Sequence, residues 1–285
     1  MTNLQSKAML VSLNLRSWRG TVKDNGIARD TERSYEAEED TLTTIKKLTP
    51  RHLMQPIDSI INAARQEHYR FTVPGLIKGQ QLLASRAFED YCYIHKHLKD
   101  DFFKFVDQFT AYYPKLLADA PRRLGKAYKE EDFPPSSRIR GYFDYRIQFA
   151  PVPEIKDWRL DGVDEGEVTK MRNEVEDEVR IMYRRAIREV YERAREILAN
   201  VANQAKEYKG GPGDSRLRDA TIRNLKDISA LVLKMNVTGD KDLDQLGYEM
   251  VECFADAEAS NLRSNEKART AIAEAAERLL KRIPK

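Results

Sequence analysis

Two histidines and a glycine-rich turn have residue types that could bind a metal ion or a phosphate. His95 and His97 stand two residues apart in a predicted helix, so their side chains point about 200° apart, whereas helical metal ligands are typically four residues apart. The turn Gly210–Gly213 lacks the Gly-Lys-Ser/Thr ending of a phosphate-binding loop. Neither motif therefore predicts a ligand site.

Three alternating aspartates imitate the beginning of a calcium-binding loop. Asp240, Asp242 and Asp244 have the right spacing, but such a loop needs glycine at its sixth position and glutamate at its twelfth. The chain has Gln245 and Val251 at those positions. Helix N-capping is the better interpretation of these aspartates.

The nucleophilic residues also lack a recognisable catalytic pattern. The chain has two cysteines, Cys92 and Cys253, both in predicted helices, and neither has a patterned histidine nearby. No Gly-x-Ser-x-Gly motif is present. The sequence therefore predicts no catalytic residue, no metal site and no cofactor, and the cysteine usage fits a reducing cytoplasm.

One polar pattern remains, a basic stripe on a long predicted helix. Four arginines and a tyrosine follow each other at steps of four, four, three and four: Arg180, Arg184, Arg188, Tyr191 and Arg195. Like charges four residues apart on a helix repel, so carboxylates of the same chain, an acidic protein partner or nucleic-acid phosphates must offset them. A second basic group that could join a nucleic-acid contact is Arg122, Arg123 and Lys126.

The helix that carries this stripe is predicted from residue 164 to residue 208. No glycine or proline interrupts it after its first turn, and its apolar residues recur about every 3.6 residues, which is typical of a nearly straight helix of roughly 60 Å. Three ion pairs at four-residue spacing are expected on it, Glu176–Arg180, Arg188–Glu192 and Glu189–Arg193. The predicted apolar stripe is Val168, Met171, Val175, Val179, Met182, Ala186, Val190, Ala194, Ile197, Val201, Ala205 and Tyr208.

The rest of the chain predicts a mainly α, α+β fold in which this rod forms a long helical hairpin with the helix that follows it. An antiparallel sheet of about three strands is expected from residues 9–16, 142–149 and 157–161, so the N-terminal strand is integral to the fold. A charged helix is predicted from Thr31 to Leu48. We expect a helical region with the sheet in residues 1–162, and the rod and C-terminal helices in residues 163–285, as one integrated unit.

Composition limits the classes of function. The chain has 285 residues, 33% of them charged, and a net charge of +3, which is too small to indicate a nucleic-acid partner without local clustering. No apolar run approaches the roughly 18 residues of a membrane span, and the beginning lacks a signal-peptide pattern. The sequence predicts a cytoplasmic protein without membrane contact.

The middle of the chain carries a series of short motifs, of which the most specific is a Phe-Pro-Pro loop followed by a strand and Pro-Val-Pro. The residues of the series are Arg51-His52-Leu53, Pro56-Ile57, Phe109, Tyr112, Asp132-Phe133-Pro134, Phe143, Phe149-Ala150-Pro151-Val152-Pro153 and Asp157-Trp158-Arg159. With this series, residues 8–200 resemble an uncharacterised family encoded by tailed bacteriophages and some bacteria. Members are often encoded near a MoxR-like or cobaltochelatase-like AAA+ ATPase, so the resemblance implies an adaptor role and, in infected cells, the host cytoplasm.

Two main functional hypotheses follow from these patterns. The first is a non-catalytic interaction or structural protein that self-associates along the rod as a homo-oligomer and serves as adaptor for an ATPase. The second is a nucleic-acid-binding protein that uses the arginine stripe. A third hypothesis is an enzyme whose residues follow none of the motifs searched for.

Overall fold

The computed structural model describes residues 4–76, 79–153, 164–210, 214 and 216–284. The α-helices of this part of the chain are α1 (Leu4–Lys7), α2 (Asn25–Ser34), α3 (Arg51–Phe71), α4 (Phe88–Leu124), α5 (Ser136–Ile139), α6 (Glu165–Glu207), α7 (Asp219–Lys234), α8 (Lys241–Phe254), α9 (Ala259–Ser264) and α10 (Glu266–Leu280). The strands are β1 (Ala8–Arg16), β2 (Thr21–Lys23), β3 (Ile45–Lys47), β4 (Thr72–Pro74), β5 (Gln81–Ala84) and β6 (Asp144–Pro151). The predicted mainly α fold with a small antiparallel sheet is confirmed.

The chain divides into two compact units built from interleaved segments. Unit 1 comprises Met1–Ser12, Tyr69–Tyr91 and Gln148–Lys285, and unit 2 comprises Leu13–His68 and Cys92–Ile147. Each unit therefore contains residues that are far apart in sequence. None of the helices in the described ranges is both long and apolar enough to cross a membrane.

The main sheet has the strand order β4-β5-β1-β6. β1 pairs antiparallel with β5, from Ala8 opposite Ala84 to Val11 opposite Gln81, and β6 is its neighbour on the other side. The predicted pairing of the N-terminal strand with the strand near residues 142–149 is thus confirmed, whereas the strand predicted at 157–161 lies outside the described residues. The sequence analysis missed β4 and β5, which are only three and four residues long.

The prediction of a helix from Thr31 to Leu48 is wrong. Asp24 starts α2 earlier, because its Oδ1 accepts hydrogen bonds from the Gly26 and Ile27 amides at 3.0 and 3.1 Å. The helix ends at Ser34, and Glu36 and Asp40 then adopt positive φ angles of 53° and 64°, which a continuing helix does not allow. β3 follows and pairs antiparallel with β2.

The core of unit 2 forms between α3 and α4 and is rich in aromatic side chains. Trp18 packs against Phe109 and Tyr113, with ring centroids 5.8 and 5.6 Å apart. Phe102 is fully buried in the same core. The prediction that the aromatic stripe of this helix is core rather than a base-stacking surface agrees with the position of Phe102.

The long helix α6 of unit 1 begins one residue after the predicted boundary and ends one residue before it. Asp164 caps it by accepting a hydrogen bond from the Gly166 amide at 2.7 Å, and α7 and α10 pack on it. Its buried residues are Val168, Met182, Ala186, Val190, Ala194, Leu198, Ala202 and Ala205.

This buried stripe differs from the predicted one at both ends of α6. From Met182 to Ala202 the buried residues recur every four positions, so the stripe turns by about 40° at each step of a helix with 3.6 residues per turn. It thereby reaches Leu198 and Ala202 instead of the predicted Ile197 and Val201, which are only half-buried. Met171, predicted as a member of the stripe, is 38% exposed.

Candidate interaction surface on the long helix

Two arginines of the predicted stripe have partners within their own chain. Arg180 is paired with Glu176 at 2.7 Å and with Asp177 at 3.6 Å. Arg195 donates a hydrogen bond to the Pro284 carbonyl oxygen at 2.5 Å. These two guanidinium groups are therefore partly satisfied by the fold itself.

Arg184 and Arg188 are different, because both are exposed on α6 and no carboxylate lies within ion-pair distance of them in the described part of the chain. The expected Glu176–Arg180 and Glu189–Arg193 pairs form, the latter at 3.0 Å, but the expected Arg188–Glu192 pair does not. Arg185, which the stripe pattern did not include, is exposed in the same way. Arg184, Arg185 and Arg188 together are called the open arginine group.

Tyr191 lies on the edge of this surface and is half-buried. Burial, the nearby carboxylates of Asp240 and Asp242 and a hydrogen bond to Asp240 raise the pKa of Tyr191 to about 12. A phenol in this setting keeps its proton near neutral pH and donates a hydrogen bond to the carboxylate. Tyr191 therefore links α6 to Asp240, the N-cap residue of α8.

The second predicted basic group belongs to unit 2, whereas α6 belongs to unit 1. Arg123 donates hydrogen bonds to the carbonyl oxygens of Lys47, at 3.2 Å, and Leu48, so it joins the end of α4 to β3. Arg122 and Lys126 are exposed at the end of α4 and just after it.

The exposed side of α6 also carries an isolated apolar residue. Ile181 is 53% exposed, although it lies between Arg180 and the buried Met182. Exposed single hydrophobic residues are common, but this one is surrounded by the charged residues of α6. It is a residue that the sequence analysis did not single out, because it falls outside the apolar stripe.

Arg193 shows what a paired arginine does on this helix. Its Nη1 donates to the carbonyl oxygens of Tyr69 and Arg70 at 2.9 and 3.1 Å, which belong to the last turn of α3. Such carbonyls have no partner within their own helix, and a cation there also interacts favourably with the helix dipole. Arg193 is thus structural, in contrast to the open arginine group.

The remaining clusters of titratable residues are also structural. In unit 2 the Lys46 ammonium lies 2.7 Å from Asp24 and 2.5 Å from Asp132. Burial alone would lower the pKa of Lys46, but the hydrogen bonds that its ammonium group donates to both carboxylates outweigh this effect and leave the pKa raised. A lysine held in its charged form in this way cannot serve as a nucleophile.

Two buried histidines lie close together in unit 2. The ring centroids of His68 and His95 are 6.3 Å apart, and His95 Nδ1 lies 2.6 Å from the Tyr145 hydroxyl oxygen. Burial lowers the pKa of both histidines to about 4, with the neighbouring His68 adding to the effect on His95. Both are therefore neutral at pH 7, and no group of three metal-ligating side chains is found in the described ranges.

The aspartates that resembled a calcium loop form a helix cap and a hydrogen-bonded turn. Asp240 caps α8 by accepting from the Leu243 amide at 2.9 Å, which confirms the N-capping interpretation. Asn236 donates to Asp244 at 2.8 Å, and Arg86 donates to the same carboxylate at 2.7 Å. Burial alone would raise the pKa of Asp244, but the bonds from Arg86 and Asn236 lower it.

Both cysteines are free thiols. Burial raises the pKa of Cys92 and, as the largest of several effects, also that of Cys253. A raised pKa decreases the fraction of thiolate, which is the reactive form. Neither thiol is therefore activated for nucleophilic catalysis.

The chain was compared with protein-family models, with curated proteins and with solved structures. None of them matches it. The exposed side of α6 is therefore interpreted from its own residues.

Proposed function

We propose that this protein is a non-catalytic interaction protein of the cytoplasm that self-associates through the exposed side of α6. The observation that supports the proposal is the first part of this helix. Between Val168 and Met182 no residue is buried, and Met171 and Ile181 are exposed. A helix with exposed apolar residues and unpaired charges gains stability when a second surface covers it.

Light scattering of the purified protein at low salt tests self-association. We expect a dimer or larger oligomer, and a monomer at tens of micromolar contradicts the proposal. Ile181→Glu should weaken association without unfolding the chain, because Ile181 is exposed. Val251→Glu is the matched control, since Val251 is exposed on α8 and its replacement should leave the oligomer intact.

The adaptor role toward an AAA+ ATPase is the part of the proposal that rests on the family resemblance of residues 8–200. Co-purification from expressing cells, with and without nuclease treatment, tests it directly. A nuclease-resistant ATPase partner supports the adaptor role. Recovery of the protein without any ATPase contradicts it.

A second candidate function is nucleic-acid binding, which the open arginine group favours because its three cations have no carboxylate partner in the described ranges. Binding should weaken linearly in log affinity with log salt, by roughly one unit of slope for each phosphate neutralised. Replacing Arg184, Arg185 and Arg188 together by glutamate should abolish retention on DNA and RNA. Unchanged retention contradicts this function. Replacement of three exposed arginines outside both basic groups, Arg29 and Arg33 on α2 and Arg223 on α7, by glutamate is the control.

A further inference from the structure

The side of α6 opposite its first buried residues carries charged side chains at heptad spacing. On a helix with 3.6 residues per turn they all lie within about 60° of Ile181. Every member except Arg195 is exposed. This polar face consists of Glu167, Lys170, Glu174, Asp177, Glu178, Ile181, Arg184, Arg185, Arg188, Glu192, Arg195 and Glu196.

The charges of the polar face are arranged symmetrically about Ile181. Five pairs of charged residues of this face lie at equal distances before and after Ile181, and in each pair one charge is negative and the other is positive. The remaining charge, Glu196, has the uncharged Gly166 at its mirror position. The nearest pair lies three positions before and after Ile181, and the farthest pair lies fourteen positions before and after it. The pairs are Glu178 and Arg184, Asp177 and Arg185, Glu174 and Arg188, Lys170 and Glu192, and Glu167 and Arg195.

The helix dipole does not explain this arrangement. It favours acidic residues in the first turn and basic residues in the last turn, and its effect falls off beyond them. Most of the polar face lies in the middle of a 43-residue helix. Moreover, Lys170 and Glu192 have the order that the dipole disfavours, yet they obey the symmetry about Ile181.

Contacts within the chain do not explain it either. Among the described residues, the ion-paired side chain of the polar face is Asp177, which lies 3.6 Å from Arg180. Arg195 donates to a backbone carbonyl. The other charges of the polar face have no ion-pair partner in the described part of the chain. Opposite charges for them must therefore come from a second molecule.

We infer that α6 pairs with α6 of a second copy of this chain, antiparallel and with a two-fold axis at Ile181. In such a pair, residues equally far from the axis on the two helices face each other. Glu174 then faces Arg188 of the second copy, and Lys170 faces Glu192 of the second copy. All five charged pairs are complementary, and each occurs twice. The inference rests on the proposed self-association and specifies its geometry.

The arrangement also selects against other pairings. A parallel pair in register places each charge opposite the same charge, which is unfavourable. A nucleic acid bound to the open arginine group would lie beside Glu174, Asp177 and Glu178, which repel phosphates. The second copy is therefore the occupant whose charges fit the whole face.

The contact is long but mainly electrostatic. From Glu167 to Arg195 it spans about 42 Å at 1.5 Å per residue, with the two Ile181 side chains as the apolar centre. Heptad spacing keeps such a seam in contact if the helices supercoil slightly to the left. Since exposed ion pairs are individually weak and are screened by salt, association should decrease strongly as salt increases.

Charge reversal in the full-length chain tests this geometry. Sedimentation at about 50 mM and about 500 mM salt should show a dimer that is strongest at the lower concentration. Glu174→Arg and Arg188→Glu should each weaken homodimerisation at least about tenfold, because each creates two like-charge contacts. Circular dichroism should be unchanged, since both residues are exposed. Glu252→Arg, an exposed reversal on α8, should leave the dimer unchanged.

Mixing the two variants gives the decisive result. The new arginine at position 174 of one chain faces the new glutamate at position 188 of the other, while the native Arg188 and Glu174 also face each other. We expect a one-to-one heterodimer with affinity close to that of the unmodified chain. Absence of the heterodimer, while the unmodified chain still dimerises, overturns the inference and leaves the proposed self-association standing.

Cysteine cross-linking fixes the direction of the helices. In a chain carrying Cys92→Ala and Cys253→Ser, Ile181→Cys should form a disulfide between copies. Glu174→Cys should not, since the two copies of this position lie about 21 Å apart along the helices, each about 10 Å from the axis, but it should cross-link with Arg188→Cys. Efficient homodimeric cross-linking through position 174 indicates a parallel pair and overturns the inference. A monomer at both salt concentrations overturns the proposed self-association as well.

Discussion

The Lys46 ammonium nitrogen lies 2.5 Å from a carboxylate oxygen of Asp132, a residue 86 positions further along the chain. The Lys46 side chain is only 4% exposed, and the same nitrogen contacts Asp24 and the Ala127 carbonyl oxygen. The buried ion cluster thus joins β3 to the beginning of α2 and to the segment after α4. Lys129, 3.7 Å from Asp24, adds a second positive charge.

We expect Lys46→Met to destabilise unit 2 strongly, because it leaves two carboxylates close together without their buried cation. Replacing Asp24 and Asp132 by asparagine in the same chain should restore much of the lost stability, since asparagine also caps α2. Urea unfolding followed by Trp18 fluorescence, in a chain carrying Trp158→Phe, measures both effects. If the triple variant is no more stable than Lys46→Met, unpaired charge is not the cause.

Stability should also depend on pH between about 6.5 and 4 through the two buried histidines. The folded-state pKa of His68 and His95 is about 4, whereas the unfolded value is near 6.5, so unfolding takes up protons in this range. Their contribution, roughly 3 kcal/mol each, is complete above pH 6.5 and decreases as the pH falls toward 4.

Urea midpoints measured from pH 7.5 to pH 4 test this dependence. His95→Gln should reduce the slope of stability against pH by about half in this range. His97→Gln is the control, since His97 is exposed and the slope should remain that of the unmodified chain. An unchanged slope in His95→Gln shows that His95 does not take up a proton on unfolding.

The small residues under the helices that cover α6 should not tolerate enlargement. Ala194 is fully buried, and Ala194→Leu should lower the free energy of unfolding by about 1–3 kcal/mol through overpacking. The same change at Ala220, which is exposed on α7, should stay within about 0.5 kcal/mol. Equal thermal stability of the two variants contradicts the tight packing at Ala194.

The N-terminal strand should be indispensable. β1 lies between β5 and β6 in the sheet, so deletion of residues 1–18 exposes the edges of two strands and should cause aggregation. A soluble deletion variant of unchanged heat stability would be inconsistent with the central position of β1. Leu10→Asp, at a buried position, should be nearly as harmful, whereas Thr21→Asp on the exposed side of β2 should have little effect.

Elements with strong local signals could be predicted from the sequence. The ends of α6 are correct within one residue, because its periodicity is uninterrupted and Asp164 is a strong cap. The short strands β4 and β5 were missed, since three or four residues carry little periodicity and their pairing depends on distant partners. Phe149 is 44% exposed, although it continues the apolar alternation of Tyr145 and Ile147 along β6.

The candidate surface was predictable only in part, because Arg185 and Ile181 lie outside the predicted stripes. The spacing of Arg184 and Arg188 identified the surface, whereas the partners of Arg180 and Arg195 were visible only in the folded chain. Lys46 lies in a charged stretch whose pattern predicts an exposed side chain. Its burial depends on carboxylates contributed by distant segments. Such long-range pairing leaves no periodic signal in a single sequence.

The interleaving of the two units has a consequence for biosynthesis. All segments of unit 2 have been translated once Ile147 leaves the ribosome, whereas unit 1 needs the final residues of the chain. At about 5–20 residues per second, the remaining residues take on the order of ten seconds to synthesise. During that interval unit 2 can fold. The first half of β1, which belongs to unit 1, stays without its partner segments until the later helices of unit 1 have been synthesised.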